Sequence, residues 1–115
     1  MMNETRRAQR RDAHEAVSVV DTMTDMTVGR VANVSESGML LVVNAALQED
    51  ALYQLRFDLI DAAGRATPVE VGAHLLWIGS ANTPGQSWAG LRFLTIGDAH
   101  SAALRSWIES APQPG

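Results

Sequence analysis

Apolar and polar residues alternate along most of the chain, and this pattern predicts β-strands. The clearest case is residues 53–59, where Tyr, Leu, Phe and Leu alternate with Gln, Arg and Asp. Residues 69–77 repeat the pattern, with every odd-numbered residue from Val69 to Trp77 expected on the inward face. Because successive side chains leave a strand on opposite faces, both segments predict half-buried strands.

Shorter apolar segments complete the strand assignment. They predict further strands at residues 16–20, 27–34, 38–43 and 88–93. The connecting segments are rich in residues that favour turns, such as Asp, Asn, Ser and Gly, and they lie at residues 21–25, 44–51, 61–67 and 79–87.

The last apolar pattern has helical spacing. Residues 99, 103, 104, 107 and 108 fall on one stripe of a helix at about residues 98–110, which Pro112 prevents from continuing. Asp98 is expected to be the N-cap, because its carboxylate can accept the unpaired amides of the first turn. The predicted fold is dominated by β-structure. It is a six-stranded antiparallel β-barrel with one C-terminal α-helix, since closure removes the exposed edges of the sheet.

Length and composition indicate one globular domain. A chain of 115 residues can bury one modest core. We assign residues 15–111 to the barrel and helix, and residues 1–14, which lack apolar periodicity, to a flexible arginine-rich N-terminal arm. No apolar run reaches the roughly 18 residues that a membrane helix needs, and the absence of cysteine excludes disulfides and thiol catalysis. We therefore expect a cytoplasmic protein without membrane insertion.

Positive charge is concentrated in the first eleven residues, whereas the rest of the chain is acidic. All nine basic residues are arginines. Residues 1–11 hold four of them and one glutamate, whereas the remainder holds five arginines and twelve acidic residues. A guanidinium can form two parallel hydrogen bonds to phosphate or to a guanine edge, which an ammonium cannot. The cluster at residues 6–11 thus predicts an anion-binding arm, although alone it is more typical of a solvated arm or a nonspecific nucleic-acid tail.

A polar turn at residues 33–38, with the sequence Asn-Val-Ser-Glu-Ser-Gly, supplies the second set of candidate groups. Asn33 and Ser35 are two residues apart on an extended segment, so their side chains share a face, and Gly38 adds accessible backbone. In isolation this pattern is more typical of a turn whose Asn and Ser bond to its own amides. The functional interpretation depends on combining the turn with the arginine cluster.

Taken together, the Arg-Arg-x-x-Arg run and the Asn-x-Ser-x-x-Gly turn resemble the PilZ domain family, the bacterial receptors of cyclic di-GMP. Two later motifs support the resemblance: Leu75-Leu76-Trp77 in a late strand, and Gly90-Leu91-Arg92-Phe93 before the C-terminal helix. The resemblance extends from Arg6 to about Ile108 and implies the same six-stranded barrel.

The resemblance implies a cyclic di-GMP receptor without enzymatic activity or cofactor. The implied ligand-binding residues are Arg6, Arg7, Arg10, Asn33, Ser35 and Gly38. The arginines would clamp guanine and phosphate, Asn33 would bind a guanine edge, and Ser35 would bind a phosphate or a nearby base. Gly38 would let the ligand approach the backbone. Binding would order the arm and transmit the signal in trans to an unidentified downstream protein, with the receptor itself a monomer or weak dimer.

The sequence leaves open which arginines face the ligand. Residues 6–11 contain two overlapping frames, Arg6/Arg10 and Arg7/Arg11, and we favour the first because it keeps the paired start. Asn33 stands where the family often has Asp. Ser37 stands where many relatives have a second Gly, and it would strain the turn if a positive φ were required there.

Other functions have less support in the sequence. The alternative is a ligand-independent adaptor with the same barrel, which acts through protein contacts alone. A polymeric nucleic-acid binder would need a basic body and aromatic strand faces, whereas this body is acidic. The histidines lack metal-ligand spacing, so we expect no metal site. The three tryptophans are expected to pack in the core or at its rim rather than stack on a ligand.

Overall fold

The computed structural model describes residues 9–13 and 15–110. In that part of the chain seven strands precede one helix: β1 Arg10–Asp12, β2 Ser18–Asp21, β3 Met26–Ser35, β4 Gly38–Val43, β5 Leu52–Ile60, β6 Ala66–Ser80, β7 Ser87–Ile96 and α1 Asp98–Glu109. Apart from β1, every element lies where the apolar pattern predicted it, with ends that differ by a few residues at most.

Six of the strands close into an antiparallel barrel. Around the ring the order is β3, β2, β5, β6, β7 and β4, and β4 pairs again with β3. Closure is possible because β3 is ten residues long. It pairs with β2 from Met26 to Arg30 and with β4 from Gly29 to Val34. The predicted six-stranded antiparallel barrel with a C-terminal helix is confirmed.

Strand β1 was not predicted from the sequence. It continues along the edge of β3 beyond the end of β2, pairing Arg10 with Ser35 and Asp12 with Asn33. These residues were predicted to belong to the flexible arm of residues 1–14, because they show no apolar pattern. The unpaired edge of β3 nevertheless offers them backbone partners, which no local pattern reveals. Arg6 and Arg7 of the predicted site lie outside the described residues.

The inward faces of the strands and one face of α1 form the core. Leu55, Phe57 and Leu59 of β5 are buried, as alternation predicted. The helix contributes Leu104, Trp107 and Ile108, and burial of a side chain such as leucine or isoleucine contributes about 1.5–3 kcal/mol. The indole N–H of Trp107 donates to the carbonyl of Ile60 at 3.0 Å, which fixes the last turns of α1 to the end of β5.

The start of the helix differs from the prediction. The N-cap is Gly97, which makes no side-chain capping hydrogen bond, and Asp98 is the first helical residue. The carboxylate of Asp98 therefore does not cap the helix. It stabilises the helix by its attraction to the partial positive charge of the first turn. Ala99, predicted on the buried stripe, is exposed. Within the described residues, no helix is both long and apolar enough to cross a membrane.

The alternation predicted for β6 fails at Trp77. The pairing of β6 with β7 shifts register between Leu75 and Trp77, which marks a β-bulge. A bulge inserts an extra residue and re-aims the side chains that follow it. Leu75 is buried as predicted, whereas Trp77 is 44% exposed on the outer surface.

The carboxylate of Asp61 organises the hairpin loop between β5 and β6. Its Oδ1 accepts hydrogen bonds from the backbone amides of Ala63 and Arg65, both at 2.9 Å. Its Oδ2 accepts a third from Nε of Arg65 at 3.1 Å. These interactions, the amide of Arg65 foremost, lower the pKa of Asp61 below its ordinary value.

A depressed pKa of Asp61 predicts a pH-dependent contribution to stability. The charged carboxylate stabilises the fold above the unfolded-state pKa, and this stabilisation is lost as pH falls through the lower, folded-state pKa. We expect Asp61→Asn to be less stable than the parent at neutral pH, with the difference closing in acid. Urea unfolding of both proteins at about pH 7 and about pH 2.5 measures this difference. An equal difference at both pH values would contradict the prediction.

Candidate ligand-binding site

An open cleft of about 300 Å³ lies on the outer wall of the barrel. Its wall follows one row of paired residues across four strands: Asn33 pairs with Leu40, Leu40 with Gly90, and Gly90 with Trp77. Arg10 of β1 lines the same cleft. A cation and an amide therefore stand at one end of the row and an indole at the other, three strand spacings or roughly 14 Å apart along the backbone.

The guanidinium of Arg10 rests on the polar turn. Its Nε donates to Oδ1 of Asn33 at 2.7 Å, and one of its terminal nitrogens donates to Oγ of Ser35 at 3.3 Å. The register of β1 on β3, which places Arg10 opposite Ser35, brings these groups together. Arg10 is exposed, and a guanidinium has five N–H donors, so donors remain for an anion or a base edge.

Ser35 is buried and organises the turn from inside. It is 0% exposed. Its hydroxyl donates to the carbonyl of Gly38 and accepts from the amide of Ser37, both at 3.3 Å. With the bond from Arg10, the hydroxyl uses its donor and both acceptor positions. Ser35 was predicted to be an accessible ligand-binding group, but it is buried, with the guanidinium of Arg10 bonded to its hydroxyl.

Gly38 is needed where β4 meets β7. It is buried, and a Cβ at this position would overlap the carbonyl oxygen of Leu91 in the neighbouring strand. The glycine thus permits a close approach of two backbones. This packing requirement holds whether or not Gly38 also contacts a ligand.

Trp77 is a candidate that the sequence analysis did not select. Its indole lies directly against the backbone of Gly90, where a Cβ would overlap the ring, and it also approaches Gly79. Trp77 was predicted on the inward face, but it lines the cleft with 44% of its surface exposed. The sequence signal for this position was a glycine, which leaves bare backbone for the indole to cover. It could be used only with the knowledge that Gly90 pairs with Trp77.

The structure separates the roles of Arg10 and Arg11. Arg10 reaches the polar turn, whereas Arg11 donates to the carbonyl of Trp107 at 2.6 Å on the other side of β1. Of these two arginines, Arg10 lines the cleft, and the use of the Arg6/Arg10 frame for ligand binding stays a prediction. Of the six predicted site residues, Arg10 and Asn33 line the cleft, and Ser35 lies beneath Arg10. Gly38 packs against the backbone of β7. Arg6 and Arg7 are outside the described residues.

The polar turn has no positive φ among its described non-glycine residues, and an ion pair connects it to α1. Glu36 forms an ion pair with Arg105 of α1 at 3.5 Å. Among the described non-glycine residues, positive φ occurs at Asp25 and Asp50, so Ser37 is accommodated without left-handed backbone.

In residues 9–13 and 15–110, no group of three potential metal ligands is brought together.

Sequence comparison identifies one family. A model described as the PilZ domain matches residues 4–110, a range that includes the arginine cluster, the polar turn and all of α1. Curated proteins give no match.

Three of the solved structures that share this fold come from two bacteria. The inhibitor of motility MotI/DgrA from Bacillus subtilis has a TM-score of 0.73 and 17% identity, covering 90% of this chain and 49% of that one. YcgR from Escherichia coli, in complex with c-di-GMP, has a TM-score of 0.70 and 22% identity, covering 90% and 44%. The PilZ domain of YcgR with c-di-GMP has a TM-score of 0.65 and 18% identity, covering 90% and 88%. The chain thus spans about half the length of MotI/DgrA and YcgR, and the likeness establishes a shared fold.

Proposed function

Because the chain belongs to the PilZ domain family, we propose that it is a receptor for cyclic di-GMP, which binds in the cleft beside β1. The observation that carries this proposal is the shared position of Arg10, Asn33 and Trp77, since a forked cation, an amide and an exposed aromatic face line one cleft. The YcgR structures of the same fold contain c-di-GMP, which supports the choice of ligand.

The chemistry of the ligand matches these groups. Cyclic di-GMP carries two guanines and two phosphates in one ring, so a receptor needs forked cations together with short hydrogen-bonding groups. Arg10 binds a phosphate or the O6/N7 edge of guanine through its remaining donors. Asn33 bonds a guanine edge, and Trp77 provides a face on which a guanine stacks. Ser35 acts beneath Arg10, as an acceptor that holds the guanidinium in place.

The remaining predicted residues complete the proposal. Arg6 and Arg7 supply further cations, so that the segment before β1 closes over the ligand and becomes ordered with it. The loss of conformational entropy on ordering opposes this step. Charge-assisted hydrogen bonds of about 1.5–3 kcal/mol each offset that loss. The ordered segment then presents a new surface to a downstream protein in trans.

Calorimetric titration of the protein with cyclic di-GMP tests the proposed function. We expect saturable binding, with no comparable binding of GMP or cyclic di-AMP, because GMP has a single base and phosphate and adenine lacks the O6 acceptor that Arg10 reads. The stoichiometry distinguishes one bound ligand from a stacked pair. Absence of binding by a folded protein would reject the receptor and favour a ligand-independent adaptor.

Trp77→Ala is expected to weaken cyclic di-GMP binding by about tenfold or more, since base stacking on an aromatic side chain is worth about 1–3 kcal/mol. The comparison is Leu76→Ala, because Leu76 lines the same cleft and is 48% exposed but has no aromatic face. We expect Leu76→Ala to change affinity by less than about threefold, and Trp77→Phe to retain much of it. Equal losses for Trp77→Ala and Leu76→Ala would indicate apolar contact without stacking.

A further inference from the structure

We infer that Arg11 is a positioning residue for the cleft, which anchors β1 to the end of α1 and thereby holds Arg10 on the polar turn. Arg10 and Arg11 are adjacent in a strand, so their side chains leave on opposite faces. One bonds to Asn33 and Ser35, and the other bonds to Trp107. The effect on ligand affinity rests on the proposed function, whereas the anchoring itself does not.

The anchor combines three contacts at the C-terminal end of α1. The guanidinium carbon of Arg11 lies 3.8 Å from the centroid of the Trp107 ring. A terminal nitrogen donates to the carbonyl of Trp107 at 2.6 Å and to Oγ of Ser110 at 3.4 Å. Trp107 is 5% exposed, and its indole N–H is bonded to Ile60. The cation therefore stacks on a ring that the core already holds in place.

Arg11 also supplies a positive charge that the C-terminal end of α1 lacks. The last turn of α1 contains no basic residue, although the last carbonyls of a helix lack intrahelical partners and carry partial negative charge. Arg11 brings a cation from β1 to one of these carbonyls. The same carbonyl also accepts from Oγ of Ser110 at 2.9 Å, so Arg11 adds charge to a partly capped helix end and attaches β1 to it.

Strand β1 depends on such an anchor because it is short. It has three residues, and the pairing found for it is with β3. Short, partly exposed segments of this kind open locally at low free-energy cost. If β1 frays, Arg10 must be ordered again when the ligand binds, and this conformational cost lowers affinity.

Arg11→Met tests the inference, because methionine keeps an apolar stem over Trp107 but removes the cation and the forked donors. The first readout is hydrogen exchange at the amide of Ala13, which donates to the carbonyl of Ala32 at 2.9 Å beside β1. In the ligand-free variant we expect exchange at Ala13 to be about tenfold faster, with amides in the β5–β6 pair unchanged.

The second readout is affinity for cyclic di-GMP. We expect Arg11→Met to weaken binding by about tenfold, which corresponds to about 1.4 kcal/mol. Arg11→Lys should recover part of both effects, since an ammonium restores the charge at the helix end but not the fork. Arg65→Met removes one cation from an exposed loop and should change neither readout, which controls for net charge.

The outcomes separate the two proposals. Unchanged exchange at Ala13 in Arg11→Met overturns the anchoring. Faster exchange with unaltered affinity overturns the effect of the anchor on the cleft. If the parent protein does not bind cyclic di-GMP, the proposed function fails, while the exchange of Ala13 still supports or overturns the anchoring by Arg11.

Discussion

Arg10→Ala is expected to weaken cyclic di-GMP binding by about 100-fold or more, equivalent to about 2.7 kcal/mol. The variant loses the forked cation of the cleft, and each charge-assisted hydrogen bond from such a group contributes about 1.5–3 kcal/mol. It also removes the group that rests on Asn33 and Ser35 in the ligand-free protein. Calorimetric titration of variant and parent under identical salt conditions measures the loss.

Two variants distinguish the geometry of Arg10 from its charge. Arg10→Lys keeps the charge but lacks the planar fork that binds a guanine edge or a phosphate through two parallel bonds, so most of the affinity should be lost. Arg65→Ala removes an exposed arginine far along the chain and should bind normally. Because Arg10 is exposed, its replacement should change the free energy of unfolding by less than about 1 kcal/mol. Full affinity in Arg10→Lys would show that charge alone is required.

Gly38→Ala is expected to lower the free energy of unfolding by about 2–4 kcal/mol in the absence of ligand. The added methyl group would overlap the carbonyl of Leu91. Both clashing groups belong to the paired backbones of β4 and β7, so no side chain can move aside. Urea unfolding of the ligand-free protein measures the effect, and weaker ligand binding should follow from distortion of the polar turn.

Gly97→Ala is the matched control for Gly38→Ala. A Cβ at Gly97 meets no atom within 4 Å, and its φ of −65° is open to any residue. We expect its effect on unfolding to stay within about 1 kcal/mol. If Gly38→Ala were as stable as Gly97→Ala but bound ligand poorly, the glycine would serve ligand approach, as first expected from the sequence, rather than strand packing.

The sequence alone was sufficient for the barrel, and it selected two residues that line the candidate cleft. Alternation in residues 53–59 and 69–75 predicted faces that are buried in the structure, because the two-residue period of a strand is a local property. The pairing of an arginine cluster with the polar turn also predicted that Arg10 and Asn33 belong together. They form a 2.7 Å hydrogen bond although 23 residues separate them.

The tertiary structure decided which groups are accessible. Strand β1 forms because closure of the barrel leaves the edge of β3 unpaired beside Asn33 and Ser35, and Ser35 is buried in the structure. Trp77 faces outward because of a bulge against β7, where a glycine lies beneath its ring.

The same distinction applies to Arg11, which is chemically identical to Arg10 and adjacent to it. As neighbours in a strand the two side chains leave on opposite faces, and the register of β1 on β3 directs Arg10 to the polar turn and Arg11 to Trp107 at the end of α1. Local sequence therefore determined the strands and the chemical groups, since propensity and periodicity act over a few residues. Pairing between distant segments determined the surface on which each group lies, because strand register and helix packing are set by closure of the whole barrel.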